Sequence, residues 1–124
     1  MALPEADLLN ERVVQCYAAN ISSAGSTFTV APCEGYITKV WSIIHAAITV
    51  ADNTVTTKIA GTTITGGSIT IATASSAAGD VDSAVPTALN HVYEDQNIEF
   101  AYTGSTTACP AMFFATIRQS EVAL

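Results

Sequence analysis

The chain of 124 residues has the length of one ordinary domain; 49% of it is apolar and only 12% charged, with four basic and eleven acidic side chains for a net charge of −7. Its cations (Arg12, Lys39, Lys58 and Arg118) are scattered and form no patch, which argues against non-specific binding to nucleic acid or to an acidic membrane. Three cysteines, an odd number with no CxxC pair, argue against a disulfide framework and a thiolate zinc site, so Cys16, Cys33 and Cys109 read as small buried hydrophobes.

Residues 1–11 contain neither the basic region nor the long apolar core of a secretory signal, and no apolar run approaches a membrane span. The sequence predicts synthesis and retention in the cytoplasm, unless the chain leaves the cell as part of a particle. PEADLLNE (4–11) is too short for a stable isolated helix and reads as an arm, with Leu3, Pro4, Leu8 and Leu9 as its candidate contacts to a partner. The expected organisation is an arm (1–11), one domain (12–120) and a tail (121–124).

RVVQCYAA (12–19) reads as a first strand, NISSAGS (20–26) as a loop, and FTVA (28–31) as a short strand stopped at Pro32. YITKVWSIIHAAITV (36–50) is the most apolar segment, and its β-branched density favours a central strand over a helix. Simple alternation puts Ile37, Trp41 and Ile43 on one face and Val40 and Ile44 on the other, with Trp41 in the core. After a turn signal at Asp52-Asn53, residues 54–72 alternate as a meander with Val55, Thr57 and Ile59 on one side. Turns are expected at Gly61 and at Gly66-Gly67. Small residues, Gly79 and Pro86 make 73–90 a long connection, either functional or a crossover between sheets. HVYEDQN (91–97) ends in a polar turn, IEFAYT (98–103) alternates again, and AMFFATIR (111–118) is the last strand. About eight short strands predict an all-β chain, an antiparallel, jelly-roll-like β-sandwich.

Candidate chemistry is thin. His45 and His91 belong to no triad motif, and pairing His91 with Cys109 has no local signature to support it. The alternating oxygens of Gly79–Ser83, from Asp80 and Asp82, suit calcium in type, but the twelve-residue EF-hand pattern is missing, so a solvated turn is the reading. Glu94, Asp95 and Glu99 read as a hydrated turn before a strand rather than as glycosidase carboxylates. No catalytic residue, metal or cofactor is expected. Flat rings can stack on sugars, and among Tyr36, Trp41, Tyr93 and Tyr102 the best-placed ring is Tyr93, beside the polar EDQN turn.

The strings GYITKVWSII, TVTTKIAGTTITGGSITIA and SSAAGDVDSAVPTALN, which span 35–90, resemble small decoration (cement) proteins of tailed-phage capsids. The resemblance implies a small β-sandwich, a homotrimer on the outer capsid surface of a virion, and the major capsid protein as partner. On that reading the chain stabilises the shell by bridging capsomers. Sparse charge and open strand edges independently suggest self-association, since few charges are present to blunt those edges. The alternative function is a glycan- or host-surface-binding sandwich that uses Tyr93 and the 73–90 loop.

Overall fold

Nine β-strands and no helix make up residues 10–120, the part of the chain that the computed structural model describes. Leu3, Pro4, Leu8 and Leu9 of the predicted arm, and the tail at 121–124, lie outside the described residues. The strands are β1 (Glu11–Ala18), β2 (Gly25–Val30), β3 (Gly35–Ile44), β4 (Asn53–Ile59), β5 (Thr62–Ile71), β6 (Val81–Ala84), β7 (His91–Val92), β8 (Asn97–Tyr102) and β9 (Ala111–Gln119). They form two antiparallel sheets. The first runs β1-β9-β3-β6, with β7 also paired to β3, and the second runs β2-β8-β4-β5. The chain passes from sheet to sheet at each connection except the β4–β5 hairpin and the β6–β7 link. This is the double Greek key of a jelly roll, as the alternation and turn spacing predicted.

The core lies between the sheets, where the inward positions of facing strands meet. Ile37, Val40 and Ile44 of β3 and Phe113, Ala115 and Ile117 of β9 are fully or almost fully buried against Val55 of β4 and Ile98 and Phe100 of β8. The Phe100 and Phe113 rings stack across the two sheets at 5.2 Å between centroids. Buried Asn53, which opens β4, ties the loops at one end together. Its amide donates to the Ile21 carbonyl at 2.9 Å and accepts from the Thr103 and Gly104 N–H groups at 3.1 and 3.2 Å.

Two local readings need correction. In β3 the pairing with β9 slips between Ile37 and Lys39, a β-bulge that places one extra residue on β3. The slip moves the alternation by one, so Ile37 and Val40 both face the core, while Trp41 and Ile43 face outward. Trp41 is therefore not a core residue but lies half-buried on the outer face of the first sheet. The Gly66-Gly67 pair does not separate two strands. It is an irregularity within β5, where the pairing with β4 slips between Thr56 and Lys58. There Gly66 takes a φ of +80° and Thr65 bridges to Ala88. Of the two readings of 73–90, the structure shows the crossover from the second sheet to the first, and the connection also carries β6.

Candidate binding surfaces

The outward positions of the two sheets differ in chemistry. On the second sheet they are Ser26, Phe28 and Val30 of β2, Glu99 and Ala101 of β8, Thr54, Thr56 and Lys58 of β4, and Ser68 and Thr70 of β5. Most are small hydroxyls or charges. Ser26 donates to Glu99 at 2.6 Å, and Lys58 stands opposite Glu99 in the register. The apolar exceptions, Phe28 and Val30, sit on the edge strand.

On the first sheet the register builds rows of large apolar side chains. Tyr17, Met112, Ile43 and Val81 form one row across β1, β9, β3 and β6, and Gln15, Phe114, Trp41 and Ser83 form the next. Val13 and Thr116 continue it, with Lys39, whose ammonium sits 5.3 Å from the centre of the Trp41 ring. Val13, Tyr17 and Val81 are more than half exposed. Sequence reasoning missed this face because the β3 bulge decides on which side Trp41 lies, and because Met112 and Phe114 look like core in an apolar run.

Tyr93 stands at a second surface, the end of the sandwich where β7 meets the start of β3. It lies on an open groove of about 280 Å³ lined by Ile59, Ala60, Thr62, Leu89, His91 and Gln96 as well. Tyr93 and Leu89 are both more than half exposed. Leu89 closes the 73–90 connection with a φ of +56°, a strained conformation for a branched side chain. The turn after Tyr93 is pinned. The Gln96 side chain accepts from the Tyr93 N–H at 2.8 Å, and Ala31 holds both Asp95 and Gln96 through backbone bonds of 2.9 Å. Behind the groove the His91 ring lies edgewise between Tyr36 and Tyr93, at 4.9 and 4.6 Å, with its Nε2 3.0 Å from Glu34 Oε2. The structure thus brings together Tyr93 and the last residues of the 73–90 loop. His91 and Tyr36 beside them were not legible in the sequence, because that contact follows from β7 pairing with β3.

The other candidates are not assembled. His91 pairs near the start of β3, whereas Cys109 precedes Ala111 at the far end, so the two stand at opposite ends of the sheet. Cys109 is fully buried, its thiol 3.2 Å from the Ala46 carbonyl. Cys33 is also buried and half-buried Cys16 is unpaired; burial pushes the Cys16 thiol up to about 11 despite a bond from Thr27 that works the other way. Asp80 accepts from the Ala77 N–H at 2.8 Å and closes a turn, while Asp82 sits on β6. Among the described residues no three His, Cys, Asp or Glu side chains gather as a metal site would need.

No protein-family model and no curated protein matches this sequence. Solved structures match it in fold. One is CsCBM6-3 from Clostridium stercorarium in complex with cellobiose, with 17% identity over 90% of this chain and 83% of that one and a TM-score of 0.54. Another is the CBM36-1 domain of a multidomain xylanase from the hindgut metagenome of Trinervitermes trinervoides, with 16% identity over 91% and 100% and a TM-score of 0.53. A family 43 arabinoxylan arabinofuranohydrolase from Bacillus subtilis matches at 9% identity over 82% of this chain but only 20% of the enzyme, with a TM-score of 0.54. The shared property is the β-sandwich.

Proposed function

We propose that this chain is a non-catalytic structural protein of a virion, a capsid decoration protein that binds through protein contacts. The observation that carries this reading is the contrast between the two sheet faces. A Thr- and Ser-rich face suits water. A face of Trp41, Phe114, Met112, Ile43 and Tyr17 has the aromatic and Met enrichment of a protein interface core. The resemblance of 35–90 to phage decoration proteins supports the capsid as the body to be bound; the fold does not, since jelly rolls serve many functions. Bridging capsomers would stabilise the shell by mass action, because the protein binds the assembled state. Mass spectrometry of purified virions of the phage whose genome encodes this chain should find it in heads at a copy number comparable to that of the capsid protein. Absence from virions overturns the reading.

Glycan binding is the second reading, favoured by the Tyr93 groove and by the fold shared with a module whose structure was solved in complex with cellobiose. The fold comparison supports this reading and is silent on capsids. An exposed ring beside an apolar rim and a fixed amide is the chemistry that stacks on a sugar and orients its hydroxyls. Tyr93→Ala should weaken binding to a responsive glycan about ten-fold or more on an array, with an unchanged melting temperature, given ~1–3 kcal/mol for one lost stacking ring. Equal binding by both proteins removes Tyr93 from any sugar site.

A further inference from the structure

We infer that the outer face of the first sheet is the contact between copies of this chain. The inference rests on the structural reading above and names the partner for that face. Charge is the first argument. In a chain of net charge −7, the outward positions of β1, β9, β3 and β6 among the described residues hold one carboxylate, Glu11, and two cations, Lys39 and Arg118, with the Glu34–His91 pair beside them. Glu11 lies opposite Arg118 in the β1–β9 register, 3.9 Å away, and Lys39 lies over Trp41. Two copies of an acidic chain repel across most of their surfaces, and here the described residues carry carboxylates only in pairs with a basic side chain. The second sheet's outer face, with Glu99 and its hydroxyls, has no comparable apolar area.

Extent is the second argument. Four strands about 4.8 Å apart and rows about 6.8 Å apart give the patch a footprint of roughly 20 Å by 20 Å once side chains are included, or about 400 Å². A stable interface takes about 800 Å² from each partner, so the patch supplies the apolar core and needs a polar rim. Gln15, Ser83 and the Glu11–Arg118 pair border it as such a rim. One row, Tyr17, Met112, Ile43 and Val81, stays apolar from the β1 edge to the β6 edge. A cyclic assembly joins two different margins of each subunit, and here each margin carries an exposed apolar side chain, Tyr17 or Val81, beside a polar one, Gln15 or Ser83.

The chain has a single tryptophan, and it stands in the middle of this face, so its emission reports the contact directly. The isolated protein should run as an oligomer by light scattering, and Trp41 emission should shift to the red as dilution dissociates it. Met112→Glu should weaken association by roughly thirty-fold or more, the effect of losing one central side chain. Tyr17→Glu, on an exposed edge position that folding does not depend on, should weaken it as well, and Phe28→Glu on the other sheet should not. A monomeric wild type, or an oligomer indifferent to both face variants, overturns the inference. A monomer whose virion binding is lost with Tyr17→Glu assigns the face to the shell, which overturns the copy contact but leaves the decoration reading intact. A monomer whose Trp41 emission moves only on adding a polysaccharide overturns it in favour of a sugar platform. An oligomer that never occurs in virions retains the contact and removes the decoration reading.

Discussion

Asp82 is a carboxylate set on the inward side of a strand. On β6 it stands opposite Ser42, on the inward side, and the buried Ser42 hydroxyl has no hydrogen-bond partner. Burial, and then the nearby Asp80 carboxylate, push the Asp82 carboxyl above its ordinary 3.8. A carboxyl raised in the folded state holds its proton longer than the unfolded chain does. Stability is therefore lost as pH rises from the unfolded value through the raised one, and the loss persists above it. Asp82→Asn should melt higher than the parent at pH 7, and melts repeated at falling pH should show the gap close below about 3.8. A gap that is constant with pH would mean the amide acts by another route. The sequence made Asp80 and Asp82 look alike, two oxygens in alternation. Only the fold separates them, Asp80 into a turn and Asp82 onto a strand. Tyr93 was legible as an exposed ring because EDQN follows it, whereas its neighbour His91 depends on a pairing between residues far apart in the chain.

Strands were legible where alternation is unbroken. Val55, Thr57 and Ile59 in β4, and Ile98, Phe100 and Tyr102 in β8, face inward as the two-residue period requires. Reading failed where the period slips. One extra residue in β3 sends Trp41 to the opposite side, and no residue type between Ile37 and Lys39 announces it. In β5 the glycines were visible, but their use was not. A Cβ on Gly67 would stand 2.5 Å from Ile64 Cγ1 and 3.3 Å from the Thr57 Cβ. The Thr57 hydroxyl also donates to the Gly67 carbonyl at 2.8 Å, inside the core. Gly67 is therefore a site of close packing, not a hairpin corner. Gly67→Ala should cost about 1–3 kcal/mol through overpacking, seen as a lower urea midpoint with an unchanged slope. An unaltered midpoint would show that β5 accommodates the methyl group by shifting.

For the whole molecule, strand number and turn spacing pointed to the sandwich, and the observed strand order makes it a jelly roll. Sparse charge suggested a covered surface, and the structure locates the apolar part on one sheet, a partition hidden from composition because Thr, Ser, Phe and Met average out over the chain. The strand order has a practical side. β1 and β9 lie next to each other, and the Gln119 N–H meets the Asn10 carbonyl at 2.6 Å. Entry to and exit from the sandwich therefore share one corner, about one inter-strand spacing of 5 Å apart. A sandwich whose first and last strands are so placed has the geometry of a cassette: residues 10–120, spliced into a surface loop of a host protein, would bridge a gap no wider than that spacing.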